Sequence, residues 1–237
     1  MSNNKPHLVV FSGAGISAES GMDTYRDEKG LWRDKSLMEL MSVGGYYEQP
    51  EKVLEILNDM RLECYESLPN NAHTRLADLE DLFKVTIITQ NVDDLHERAG
   101  STNILHLHGE LSKVTSSKNR IDKTCIKEFP MNVPIKIGDA ANDGSQLRPA
   151  VVLFGEYLTE YNKAIDIVKS ADVFLVIGTS LKVFPASQLV KHVPNNIPRY
   201  IIDTQELLFD GFKTIQAKAT TGIEIFANEI NHYRNDV

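Results

Sequence analysis

Cysteine is scarce in this 237-residue chain, which has only Cys64 and Cys125. Two cysteines exclude a disulfide scaffold and any zinc site built from four cysteines. A chain this long builds a sizeable core without such staples. Basic residues are in deficit, with 25 Lys and Arg against 33 Asp and Glu, a net charge of −8. That balance argues against a nucleic-acid binder but leaves open a phosphate-bearing ligand held by backbone amides. Long apolar runs are missing too. Behind the polar start MSNNKPH, the run Leu8–Phe11 is too short for a signal peptide or a membrane span. The expected home is therefore the reducing cytoplasm, with no membrane partner. Internal repeats and low-complexity tracts are also absent. What is present has an ordinary globular balance, 42% hydrophobic and 24% charged. The length suits one large domain, or a domain with a smaller insertion.

Short β-branched runs at Leu8–Phe11, Val85–Thr89, Ile104–Leu107, Val151–Phe154, Val173–Ile177 and Arg199–Ile202 are almost continuously apolar. Parallel strands covered on both faces read this way. Helical spacing lies between them: Val53, Leu57, Met60 and Cys64 within Glu51–Tyr65, a second segment around Ala164–Val168, and Ile223, Phe226, Ile230 and Tyr233. The alternation predicts an α/β fold, a Rossmann-like parallel sheet flanked by helices. Two stretches break it, 31–69, mainly helical, and 111–149, polar. They are read as a small lobe beside a core of about 1–30, 70–110 and 150–237, together one domain.

Six runs carry candidate chemistry. The first strand enters Ser12-Gly13-Ala14-Gly15-Ile16-Ser17-Ala18-Glu19-Ser20-Gly21. Glycines there let a backbone approach a ligand and free amides for a pyrophosphate, with a helix start expected next; the alternative is a tight structural turn. Thr89-Gln90-Asn91-Val92-Asp93-Asp94 follows the second strand. It either reads a carboxamide or sugar, or caps the helix toward Arg98. In His106-Leu107-His108-Gly109-Glu110, one His-x-His without a nearby cysteine is weak evidence for zinc. His108 at the strand end suits a general base, with a structural histidine as the alternative. Val151–Glu156 and Gly178-Thr179-Ser180 are further strand-end runs, the latter able to hold phosphate or ribose. Asp203 is an acid at a strand end, either a ribose ligand or a solvated loop residue.

In this order, Gly-Ala-Gly-Ile-Ser-Ala-Glu-Ser-Gly, Thr-Gln-Asn-Val-Asp, His-x-His-Gly-Glu, Val-Val-x-Phe-Gly-Glu and Gly-Thr-Ser-Leu-x-Val-x-Pro-Ala resemble the sirtuin family of NAD-dependent protein lysine deacylases. The likeness covers about residues 7 to 230. It implies NAD in a cleft beside the small lobe. Gly13, Ala14, Gly15, Ser17, Glu19, Thr24, Tyr25 and Arg26 would serve the diphosphate and nicotinamide ribose. Gln90, Asn91 and Asp93 would line the nicotinamide pocket. Gly178, Thr179, Ser180, Asp203, Thr204, Gln205 and Ala219 would surround the adenosine half. His108 and Asn91 would be catalytic. The acyl-lysine oxygen would attack the ribose carbon as nicotinamide leaves, and His108 would take a proton from a ribose hydroxyl. The products would be free lysine, nicotinamide and O-acyl-ADP-ribose. An acylated protein segment would add as a strand between Val151–Glu156 and Ser180–Phe184, touching Val152, Phe154, Gly155, Glu156, Leu181 and Val183. An NAD hydrolase or mono-ADP-ribosyltransferase is the alternative enzyme, and a binding module without catalysis the alternative class.

Three departures from the family pattern stand out. The usual two Cys-x2-Cys pairs are reduced to Cys125, so no structural zinc is expected. Tyr25 replaces a phenylalanine beside the nicotinamide. Asp203 replaces an asparagine. The Tyr-x2-Arg pair of family members that prefer acidic acyl groups aligns with Leu57 and Met60. Those two either belong to the core or line an apolar channel. A register shifted by one residue would put Arg61 at the arginine position. The expected preference is for neutral acyl groups, acetyl first.

Overall fold

The computed structural model describes residues 5–22 and 34–233. A six-stranded parallel sheet forms its centre: β1 (His7–Ser12), β2 (Lys84–Thr89), β3 (Ile104–His106), β7 (Val173–Ile177), β8 (Arg199–Asp203) and β9 (Lys213–Gln216). Their spatial order is β3-β2-β1-β7-β8-β9. The chain moves outward on one side of β1 and then on the other, so the switch point lies between β1 and β7, where a crevice opens beyond the strands' carboxyl ends. The apolar runs are buried on both faces. Leu8, Val10, Ile87, Leu175 and Ile202 pack against α4 (Asn71–Asp78) and α7 (Ala219–Tyr233). Val9, Phe11, Ile88, Phe174 and Val176 face α6 (Tyr161–Lys169).

A second apolar cluster lies apart from the main sheet. It joins α1 (Lys35–Leu40), α2 (Val43–Glu48) and α3 (Pro50–Glu66) to an antiparallel sheet of order β5-β4-β6. These strands are β4 (Gly109–Ser116), β5 (Lys127–Glu128) and β6 (Leu147–Val151). The polar stretch after residue 111 thus hides three strands. Of the run Val151–Phe154, expected as a parallel strand, only Val151 is in a strand, the last residue of β6, which pairs antiparallel with β4 with an irregularity between Glu110 and Val114. A strand buried on both faces carries the same apolar signal in either sheet, which is why the reading misplaced it. Beyond β6, Phe154 turns to α2: its N–H donates to Met41 O at 3.1 Å, and its carbonyl accepts from Val43 N at 3.0 Å.

One side chain ties this second assembly together. Arg61 is fully buried. Its guanidinium donates to the carbonyls of Leu111 (3.2 Å), Val133 (2.8 Å), Phe129 (3.4 Å) and Pro130 (2.6 Å), and it stacks over the Phe129 ring. Burial pulls its pKa down to about 10, so it stays charged at neutral pH. Beside it, Asn58 bonds both the carbonyl and the N–H of Ile135 at 2.9 Å. Arg61 is therefore turned into the fold, not toward an acyl group.

Candidate functional site

The ends of β1 and β7 meet back to back. A Cβ on Gly13 would lie 2.7 Å from the Thr179 Cβ, and one on Gly15 would lie 2.8 Å from the Gly178 Cα. Gly178 has φ +65°, and a Cβ there would collide with Ile16 N. The amides at these glycines are committed: Gly13 N–H donates to Ile177 O at 3.1 Å, and Gly15 N–H to Gly178 O at 2.8 Å. This corrects the sequence reading, in which both glycines freed amides for a pyrophosphate. They serve close packing, and Ala14 N–H is the amide of this turn left without an acceptor among the described residues. Two short 3₁₀ turns, Ala14–Ile16 and Ala18–Ser20, follow in place of the expected helix start.

A cavity of about 400 Å³ opens over this junction. The strand-end turns line it with Gly13, Ala14, Gly15, Gly178, Thr179, Ser180, Asp203, Thr204 and Gln205. Gln90, Asn91 and His108 line it as well. Its apolar lining includes Leu57, Met60, Val152, Phe154 and Val183, beside Gly155, together with Met41, Val92, Leu153 and Leu158, which the motif reading passed over. Gln90 donates to the Thr179 hydroxyl at 2.9 Å, bridging the β2 and β7 ends.

The two strand-end histidines differ in their hydrogens. His108 Nδ1 lies 2.8 Å from Gln90 O. A carbonyl only accepts, so Nδ1 carries the hydrogen and the neutral ring keeps its lone pair on Nε2. His106 lies 3.0 Å from Asn91 O through Nδ1 and 2.8 Å from Glu97 through Nε2. Burial lowers its pKa, but the bonded Glu97 carboxylate and the charge of Glu110 leave it raised overall. With acceptors at both nitrogens, His106 is an imidazolium that braces the Gln90–Asn91 turn. Glu97, His106 and Glu110 cluster closely enough to hold a metal, but His106 is paired with Glu97 and Glu110 with Lys113 at 2.8 Å.

Behind the cavity wall lies a buried network. Asn70 N–H donates to His73 Nδ1 at 3.3 Å, so the His73 hydrogen sits on Nε2 and points to Ser17 Oγ, 3.5 Å away. Asn91 also donates to Ser17 Oγ at 3.1 Å, and that hydroxyl donates to Asp93 at 3.1 Å. Burial pushes His73 down to about 4 and Asp93 up to about 6. At neutral pH the pair is an uncharged imidazole and a carboxylate, matching these donor directions. His96, packed edge-on against His73, bonds Ser12 at 3.0 Å, and burial holds its pKa well below the ordinary value.

A family model described as the Sir2 family matches residues 13–185. The chain belongs to the Sir2 family. An NAD-dependent protein deacylase of Bacteroides thetaiotaomicron is 48% identical over 198 residues, covering 83% of this chain and 85% of that protein. One from Helicobacter pylori is 49% identical over 197 residues, with 83% and 84% covered. Among solved structures, a Sir2 homologue–NAD complex matches with a TM-score of 0.80 at 34% identity, over 97% of this chain and 91% of that one. Sir2 bound to an acetylated peptide matches with a TM-score of 0.73 at 26% identity, over 96% and 94%.

In this Sir2-family chain several expected site residues stand elsewhere. Ser17 and Asp93 belong to the buried network, not the cavity lining. Asp93 also accepts from Leu95 N–H at 3.1 Å, the capping alternative, at the start of α5 (Leu95–Arg98). Glu19 accepts from the N–H and the hydroxyl of Thr220, both at 3.0 Å, and so caps α7. Ala219 is buried against the core. Leu181, at φ +55°, packs on the α6-side core instead of lining the cavity. Glu156 does line it, but its carboxylate is engaged by Arg148 at 2.5 Å, Arg120 at 3.3 Å and Leu153 N–H at 2.8 Å. Val152 N–H is bonded to His108 O at 2.8 Å. The N–H groups of Val152, Leu153 and Phe154 are thus already in use. Thr24, Tyr25 and Arg26 lie outside the described residues. His73 was missed because Asn-Asn-Ala-His reads only as a helix start; nothing local signals its bond to a residue 56 positions earlier.

Proposed function

We propose that this protein removes acyl groups, acetyl first, from lysine side chains of proteins, using NAD and releasing nicotinamide and O-acyl-ADP-ribose. The observation that carries this reading is one cavity whose lining brings His108 together with the glycine turns after β1 and β7 and with apolar residues of the second assembly. NAD fits the residues present: the Ala14 N–H, without an acceptor among the described residues, and the Thr179 and Ser180 hydroxyls on the cavity lining. NAD, when bound, supplies an electrophilic ribose carbon from which nicotinamide departs. Gln90 and Asn91 orient groups in the middle of the cavity, with Asn91 held by Ser17. His108, its Nδ1–H anchored on Gln90 O, receives a ribose hydroxyl proton at Nε2. The apolar end excludes water from the acyl chain. Leu57 and Met60 bring no cation to it, so a succinyl carboxylate finds no guanidinium fork there.

An NAD hydrolase would not use an apolar acyl channel. Nicotinamide release that rises only when an acetyl-lysine peptide is added is the expected result. Equal release without peptide would favour the hydrolase, and desuccinylation at or above the matched deacetylation would overturn the acyl preference. We also read the chain as one cytoplasmic catalytic domain whose small lobe, residues 31–69 and 111–149, folds without zinc. In residues 111–149 Cys125 is the one cysteine and there is no histidine. Structural zinc takes four such ligands, and Arg61 and Asn58 stitch these segments instead. A chelator is expected to leave the melting temperature unchanged. Stoichiometric zinc in untagged protein would contradict this.

A further inference from the structure

Beyond β6 the chain makes a tight turn whose residues Leu153, Phe154, Gly155 and Glu156 line the cavity. Glu156 N–H donates to Leu153 O at 3.0 Å and closes the turn, with Gly155 at φ +95°. Glycine leaves the backbone many conformations, so the shape of this turn is set by what holds its flanks. Phe154 is held by Met41 and Val43. Arg148, buried, donates to Glu156 Oε1 and to Val151 O. Arg120 grips the turn a second time. Its Nε lies 3.3 Å from Glu156 Oε2, and its Nη2 donates to Tyr157 O at 2.8 Å. Arg120 does not line the cavity. It comes from residues 117–126, between β4 and β5. Its own carbonyl accepts from Thr115 Oγ1 at 2.9 Å, and Ser116 Oγ accepts from the N–H groups of Lys118 and Asn119 at 3.0 Å, so the segment that carries it is fixed to β4. A planar guanidinium spans a carboxylate and a carbonyl at once, which an ammonium cannot do as a point charge.

We propose that Arg120 is a positioning residue for the acylated substrate: by gripping Glu156 and the Tyr157 carbonyl from the second assembly, it holds the 153–157 turn in the shape that receives the acyl-lysine segment. This rests on the deacylase reading above. Without Arg120, Glu156 keeps Arg148 and Leu153 N–H, so the turn stays in place, but the Tyr157 carbonyl loses its donor and the wall loosens. The effect falls on the acylated peptide and not on NAD. Gly13, Gly15, Gly178 and Thr179 meet at the ends of β1 and β7, and none of the partners of Arg120 lies there.

The test compares the full chain with its Arg120→Ala and Arg120→Lys variants in three measurements: steady-state deacetylation of an acetyl-lysine peptide, calorimetric titration with NAD alone, and melting temperature. Arg120→Ala is expected to raise the peptide KM on the order of tenfold, the scale of a lost charge-assisted contact. Its kcat, its NAD dissociation constant and its melting temperature stay close to the parent's. Arg120→Lys, able to reach one of the two partners, is expected to raise the peptide KM by about threefold. It also carries the test if the alanine variant fails to fold. A peptide KM within about twofold of the parent in every variant that folds would overturn the proposal. So would NAD affinity and melting temperature falling in step with peptide affinity, since that pattern marks a general loss of structure. A parent protein that binds NAD but leaves the peptide acetylated would overturn the deacylase reading itself, and this proposal with it.

Discussion

His106 and His108 sit two residues apart on one chain, yet their partners give them opposite characters. Glu97 gives His106 a second acceptor and keeps it protonated, while His108 has its Nδ1–H fixed by Gln90 O and its acceptor nitrogen on the other side of the ring. Replacing His108 with alanine is therefore expected to lower deacylation by about 10²–10⁴-fold, the range for losing a general base, with the NAD dissociation constant largely retained. Near-normal turnover in that variant would remove His108 from the chemistry. Strand-end position and residue type made His108 legible in the sequence. Glu156, which lines the cavity, was legible only in part. Its motif marks the right turn, but only the fold shows that Arg148, buried and also donating to Val151 O at 3.0 Å, claims its carboxylate.

At the scale of elements, the parallel strands were legible because burial on both faces leaves a dense apolar run. β1, β2, β7 and β8 match their expected runs to within a residue or so. The strands of the second sheet were not legible. β4 and β5 carry polar and charged residues on partly exposed faces, and the ten residues 117–126 separate them in the chain. The glycine turn was located correctly but explained by the wrong cause, since sequence cannot show that Gly13 and Gly15 press against Gly178. That contact predicts the outcome of one substitution. Gly178→Ala adds a Cβ against Ile16 N at positive φ, and is expected to cost about 3 kcal/mol or more and to weaken NAD binding together with stability. Urea unfolding read against the parent measures it; a loss below about 0.5 kcal/mol would show that the junction can relax.

For the whole molecule, acid sensitivity follows from histidines buried without charge. Burial lowers the pKa of His7, takes that of His73 to about 4, and holds that of His96 well below its ordinary value. Between their ordinary value near 6.5 and about 4, the unfolded chain binds protons at these positions that the folded chain does not, so stability falls as pH falls. Asp93, raised to about 6, and His106, raised by Glu97, act in the opposite sense, but these two groups are set against three rings. The urea midpoint is expected to be lower at pH 5 than at pH 7.5, and a higher midpoint at pH 5 would contradict the neutral-histidine network. No helix among the described residues is long and apolar enough to cross a membrane. The central claim is acyl transfer within one cavity. It is tested most directly by mass spectrometry of an acetyl-lysine peptide incubated with NAD and the protein. The expected result is deacetylated peptide and O-acetyl-ADP-ribose appearing in equal amounts, and neither product without NAD. Deacetylation that proceeds without NAD, or free ADP-ribose accumulating while the peptide stays acetylated, would contradict it.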